Sequence, residues 1–163
     1  MAGCQTYTQT KKQTLDSVYC VGYIEQYGKA YTGLERNVYA LDLYTEGMAL
    51  DSTRHIVGSG LNLYLSDIFL DDTVFQTGAY HSDTTTEAFT FLPGRSFEGT
   101  PTGIYLLSIS EGKSTGIQVI DSGRMAVEWT SDSLYHIELE LYYNKGTQYK
   151  ARFEGATETI DRR

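Results

Sequence analysis

Basic side chains are scarce in this chain. Lysine and arginine number 13 against 21 aspartates and glutamates, a formal net charge of −8. That balance argues against a nucleic-acid partner, because neutralising phosphates takes a clustered basic surface. Long apolar runs are missing too: no stretch reaches the roughly 18 apolar residues of a membrane-crossing helix. No segment joins a basic start to an apolar centre in the manner of a secretory signal. Cysteines number two, Cys4 and Cys20, too few for a disulfide scaffold or a zinc site. The two can pair, but Cys4 sits in a polar N-terminal run, and Cys20 reads as a small buried hydrophobe within a strand.

The arrangements that carry catalysis are also missing. His55, His81 and His136 lie far apart in the chain. His81 stands two residues before Asp83, but such a pair in a threonine-rich loop reads as solvated. Asp67, Asp71 and Asp72 lack the ligand spacing and glycine of a calcium loop. The glycines of "FLPGRSFEGTPTG" are not followed by the lysine of a phosphate cradle, and no Gly-X-Ser-X-Gly nucleophile setting occurs. The expectation is a protein that is not an enzyme, with no cofactor and no metal.

What the chain has is alternation. Hydrophobic residues make up 40% of its 163 residues, enough for one domain with a core. "VYALDLYT" puts Tyr39, Leu41 and Leu43 on one face. "LNLYLSDIFL" does the same with Leu61, Leu63 and Leu65, and "RMAVEWT" with Met125, Val127 and Trp129. "LYHIELELYY" turns Tyr135, Ile137, Leu139 and Leu141 inward and His136, Glu138 and Glu140 outward, while "TQYKARFEG" turns Tyr149, Ala151 and Phe153 inward. This is the period of half-buried strands. Trp129, Leu139 and Phe153 are expected in the core.

Glycines and turn residues separate the runs. "YYNKGTQY" spells a tight hairpin, and the segment from Thr115 to Gly155 reads as a meander. "YTEGMALDSTRH" is the best candidate for a short helical turn. The predicted fold is all-β: a single antiparallel β-sandwich or flattened barrel of about eight to ten strands. Thr-Gly-X-Tyr occurs twice, at Thr77–Tyr80 and Thr102–Tyr105, and suggests a glycine entering a strand two residues before an inward aromatic.

Several of these segments, taken in order, resemble the small outer-membrane lipoproteins of Bacteroidetes. They are the Gly-Tyr-rich stretch Tyr27–Gly33, "VYALDLYT", "LNLYL", the Thr-Gly-X-Tyr starts and the closing "SGRMAVEWTSDSLYHIELELYYNKGTQYKARFEG". In the last, Tyr135-His136-Ile137-Glu138-Leu139 and Phe153-Glu154-Gly155 stand where that family's terminal hairpin has its Tyr-X-Ile-X-Leu strand and closing aromatic-X-Gly. The resemblance implies that Met1-Ala2-Gly3-Cys4 is the end of a lipobox, with Met1 in the usual place of leucine. Cys4 would then be the acylated residue. Residues 1–16 would be the lipid-attachment cysteine and a Thr/Gln-rich tether, and residues 17–163 the β domain. It further implies an outer-membrane location, lipid-anchored at the cell surface or the periplasmic face.

Tyrosine is abundant, at 14 residues. Tyr39, Tyr135 and Tyr149 fall at inward positions, whereas Tyr27, Tyr31, Tyr64 and Tyr142 fall opposite the core or in loops. Exposed tyrosine offers flat apolar area with a polar tip, suited to sugar rings or a protein partner. Those four are the candidate ligand contacts. Two functions follow: a lipid-anchored envelope binding or accessory module, for a glycan or a nutrient-uptake complex at the outer membrane, or an envelope structural protein that acts through protein contacts without a small ligand.

Overall fold

The alternation becomes strand almost throughout. The computed structural model describes residues 9–11, 14–131 and 134–163, with side chains from Asp16 onward. Among these are sixteen strands and no helix. In chain order they are β1 Gln9–Lys11, β2 Thr14–Tyr19, β3 Val21–Gly28, β4 Asn37–Tyr44, β5 Ala49–Leu50, β6 Ile56–Val57, β7 Gly60–Leu70 and β8 Gly78–Ser82. There follow β9 Thr90–Phe91, β10 Arg95–Phe97, β11 Thr100–Thr102, β12 Ile104–Ser110, β13 Lys113–Val119, β14 Ser122–Ser131, β15 Leu134–Tyr143 and β16 Thr147–Asp161.

Eight of them close a barrel, in the order β3, β4, β7, β9, β8, β14, β15, β16 and back to β3. The hairpin of β12 and β13 extends from β7 outside the ring, and β2 runs along the first half of β16 with β1 on its far side. The sheet is mixed rather than antiparallel, because β16 pairs in parallel with both β2 and β3, and β8 with β9. Cysteine 4 lies outside the described residues. Within the stretch expected to be a tether, residues 1–16, Gln9–Lys11 and Thr14–Asp16 pair as strand, using main-chain groups that any side chain leaves available. Cys20 is not a buried hydrophobe either. It is half-buried at the break between β2 and β3, and it is disulfide-bonded.

The barrel interior holds the faces read from the sequence. Leu41, Leu43, Leu63, Leu65, Ile137, Leu141 and Phe153 have no accessible surface. Tyr19 and Tyr149 share a buried hydroxyl–hydroxyl bond of 2.5 Å within it, so neither phenol is left unpaired. The β15–β16 turn is the expected tight hairpin, with Asn144 and Lys145 at φ 46° and 58°.

Four expectations need correction. The meander has three strands, β14 to β16, because β13 pairs with β12 instead. The segment from Tyr44 to His55 is no helical turn but leads into the β5–β6 hairpin, a flap whose Leu50 and Ile56 pack on the outer wall. The two Thr-Gly-X-Tyr starts diverge: Tyr80 points into the core, while Tyr105 is on the outer face opposite Tyr64. Trp129 is 57% exposed. Its face was read correctly, since Met125 and Val127 before it are buried, but it lies past the end of the packed interior, where the β14–β15 register slips.

A contrast in stability follows. In chemical denaturation, Phe153→Ala is expected to cost about 3–5 kcal/mol, and Trp129→Ala to stay within about 1 kcal/mol of the parent. Equal losses would contradict the placement of Trp129 outside the core.

Candidate functional site

Strand alternation leaves a second row of side chains on the outside of β3, β4, β7 and β12. From β3 come Tyr23, Glu25 and Tyr27, from β4 Asp42 and Tyr44, from β7 Asn62 and Tyr64, and from β12 Tyr105 and Leu107. One end of this face is apolar and covered. Tyr23 and Tyr44 meet edge to face at 5.9 Å, and Met48, Leu50 and Ile56 pack over them. The main-chain N–H of Leu50 donates to the Tyr23 hydroxyl at 3.0 Å, which ties the flap down.

The other end is polar. Asp42 and Glu25 are only 5% and 6% exposed. Asp42 accepts from the Tyr44 hydroxyl at 2.8 Å and from the Asn62 amide at 2.5 Å. Glu25 accepts from the Tyr27 hydroxyl at 2.5 Å and from Arg162 Nε at 3.3 Å. The Tyr64 phenol lies close enough to that of Tyr27 for the two to interact, and Tyr27 in turn is bonded to Glu25. The Tyr105 ring lies 5.3 Å from that of Tyr64.

Tyr31 completes the row. It lies in the loop after β3, is 46% exposed, rests against Phe69 and donates its hydroxyl to Asp67. Asp67 can reach it because of a bulge. Inward residues of β7 run Leu61, Leu63, Leu65 and then Ile68, Leu70, so the phase shifts by one at Asp67, whose φ is 55°. There β7 exchanges its partner β12 for β9. A bulge that turns one side chain out of a ladder is a common way to place a functional group.

Three of the four sequence candidates, Tyr27, Tyr31 and Tyr64, thus come together. Tyr142 does not: it is half-buried on the far wall, near Arg124. Sequence reading missed Glu25, Asp42, Asp67 and Tyr105. The phase shift in "LNLYLSDIFL" carries a signal for Asp67, whereas the burial of the two carboxylates has none. The acidic residues of the Asp67–Asp72 segment go separate ways: Asp71 pairs with Arg36, and Asp72 takes the main-chain N–H of Thr73 and the Gln76 amide. His81 Nε2 lies 3.6 Å from Asp83, on the surface.

Burial sets the electrostatics. It pushes the Asp42 carboxyl up to about 7, against the hydrogen bonds from Tyr44 and Asn62 and with help from the nearby Glu25. Burial also raises the Tyr31 and Tyr105 phenols to about 12, assisted by Asp67 in the first case and by Asp42 and Glu25 in the second. Tyr64 is raised further, first by burial and then by Glu25. Every phenol of the row therefore stays protonated at neutral pH and serves as an aromatic face with a donor.

An acid with a raised folded-state pKa favours the fold while it is protonated. The Asp42 contribution is full below pH 3.8 and is lost as pH rises to about 7. In urea titrations across that range, Asp42→Asn should lose part of the parent's decline in unfolding free energy. A variant curve parallel to the parent's would contradict this.

Compared with known protein families, curated proteins and solved structures, the chain matches none.

Proposed function

We propose that this chain is a lipid-anchored binding module of the cell envelope, and that it holds a glycan against the row of Tyr31, Tyr27, Tyr64 and Tyr105. The observation that carries the reading is the row itself. Four phenols lie side by side, Tyr27 and Tyr64 on barrel strands, Tyr105 on the adjoining β12 and Tyr31 in the loop after β3, with two carboxylates buried beneath them. Pyranose rings present flat C–H faces bordered by hydroxyls, and aromatic faces with nearby donors and acceptors are complementary to them. Because the strands and the bulge hold the phenols in place, little side-chain order is lost on binding.

The anchor reading rests on Ala2-Gly3-Cys4 and on the lipoprotein resemblance. Two or three acyl chains on one cysteine would hold the domain at a membrane. The disulfide at Cys20 supports the extracytoplasmic part of the reading, since such bonds persist in oxidising compartments. It also makes the anchor testable. Cys4 is the other cysteine in the sequence, and a sulfur carrying a thioether cannot also form a disulfide, so acylation of Cys4 and a Cys4–Cys20 bond exclude each other.

Two measurements test the proposal. On a glycan array, at least one glycan held by the parent should be bound at least about tenfold more weakly by Tyr31→Ala and Tyr64→Ala, without loss of cooperative unfolding. No binding by the parent, or full binding by both variants, would contradict the glycan reading and favour a module that acts through protein contacts. For the anchor, protein made in its host from the full precursor should take up labelled fatty acid and fractionate with membranes, and Cys4→Ser should do neither. An unlabelled parent with an intact Cys4–Cys20 bond would overturn the anchor.

A further inference from the structure

Trp129 has no role in the core and stands apart from the tyrosine row. It borders a cleft of about 510 Å³ at the open end of the barrel, between the end of β14 and the segment Val74–Thr77. That volume falls within the range of small-molecule sites, about 300–1,000 Å³. Val74, itself 56% exposed, stands with Trp129 among its lining. The deeper apolar surface is the buried Phe75 with Tyr135, whose rings meet at 6.0 Å. The polar lining consists of Gln26, Gln76, Thr77 and Thr159, and no charged side chain contributes.

We propose that this cleft binds an uncharged saccharide, with Trp129 as the platform for one sugar ring. The lining selects this ligand class by exclusion and by fit. A charged ligand finds no counter-charge, although the protein carries 34 acidic and basic side chains in total, 21 and 13. A wholly apolar ligand would cover the glutamine and threonine groups without bonding them, which is costly. A pyranose offers an apolar face to the indole and hydroxyls to the amides.

The main chain beneath the platform is fixed. Trp129 sits on a strand, directly opposite Tyr135, and its main-chain N–H donates to Thr77 Oγ1 at 2.9 Å. That bond leaves the Thr77 hydroxyl proton free to donate to a ligand. The Gln76 side-chain N–H donates to Asp72 Oδ2 at 3.0 Å, which leaves its side-chain carbonyl oxygen as an acceptor. The Tyr135 hydroxyl donates to the Phe75 carbonyl at 3.4 Å and so secures the cleft floor to the loop. The site is independent of the tyrosine row: the two share no residue.

Trp129 is the only tryptophan in the chain, so tryptophan-selective fluorescence reads this cleft alone. The full chain is titrated to about 10 mM with linear tetrasaccharides of glucose, mannose, galactose, xylose and N-acetylglucosamine, and in parallel with hexadecanoate. At least one saccharide should give a saturable blue shift as the indole leaves water. Gln76→Ala should weaken that response about tenfold or more, and Tyr31→Ala should leave it unchanged. Calorimetry on Trp129→Ala, with Trp129→Phe as the conservative control and circular dichroism to verify folding, should show the heat lost in the first and partly kept in the second. No saturable shift with any saccharide overturns the proposal. So does a shift that Gln76→Ala does not weaken, or one given only by hexadecanoate. A response kept in Tyr31→Ala while that variant loses the array signal of the glycan held by the tyrosine row shows two sites. Loss of both in Tyr31→Ala would mean that the cleft is not separate, and would also overturn it.

Discussion

One strand holds this molecule together. β16 runs for 15 residues, from Thr147 to Asp161. On one edge it pairs with β15 through ten successive residue pairs. On the other it takes β2 at Gln148–Phe153 and then β3 at Thr157–Asp161, both in parallel. The second of these contacts closes the ring. At the change of partner the chain must pass close to itself: a Cβ on Gly22 would lie 2.9 Å from the Phe153 ring, so glycine is the residue that fits there without displacing a core aromatic. Parallel closure joins segments more than 130 residues apart.

The end of β16 and the residue after it brace the tyrosine row. Arg162, which follows β16, reaches Glu25 on β3, and Ile160 packs with the apolar end of the same face. Burying two carboxylates on one sheet face costs free energy that well-packed apolar residues would not incur. The structure offsets the cost with donors: Tyr27 and Arg162 for Glu25, Tyr44 and Asn62 for Asp42. Removing any one donor leaves a buried acceptor short, so the network is a linked set rather than a collection of separate bonds.

Much of the fold was legible because period two is a local property. Inward and outward faces along β4, β15 and β16 follow from the sequence, and so does the β15–β16 turn, whose Asn144-Lys145-Gly146 supplies the positive φ angles a tight hairpin needs. What was not legible is non-local. Nothing in the alternation of β16 says that its second edge accepts parallel partners, because parallel and antiparallel ladders can bury the same pattern. Trp129 shows the same limit: alternation names its face, but whether the barrel extends as far as that residue depends on the lengths of strands elsewhere. Within the site, Tyr27, Tyr31 and Tyr64 were readable as aromatics off the core face. Glu25 and Asp42 read as ordinary outward charges, since their burial comes from neighbours brought in by β7, β12 and the end of the chain.

The central claim is that β16 closes the barrel on β3, and amide hydrogen exchange followed residue by residue by nuclear magnetic resonance tests it most directly. Among the described residues the strand from Thr157 onward has no β15 partner and pairs with β3. Closure predicts that the hydrogen-bonded amides of Thr157–Asp161 exchange about as slowly as those of β4. Fast exchange in that segment, with Tyr149–Phe153 still protected, would describe an open sheet and contradict the account.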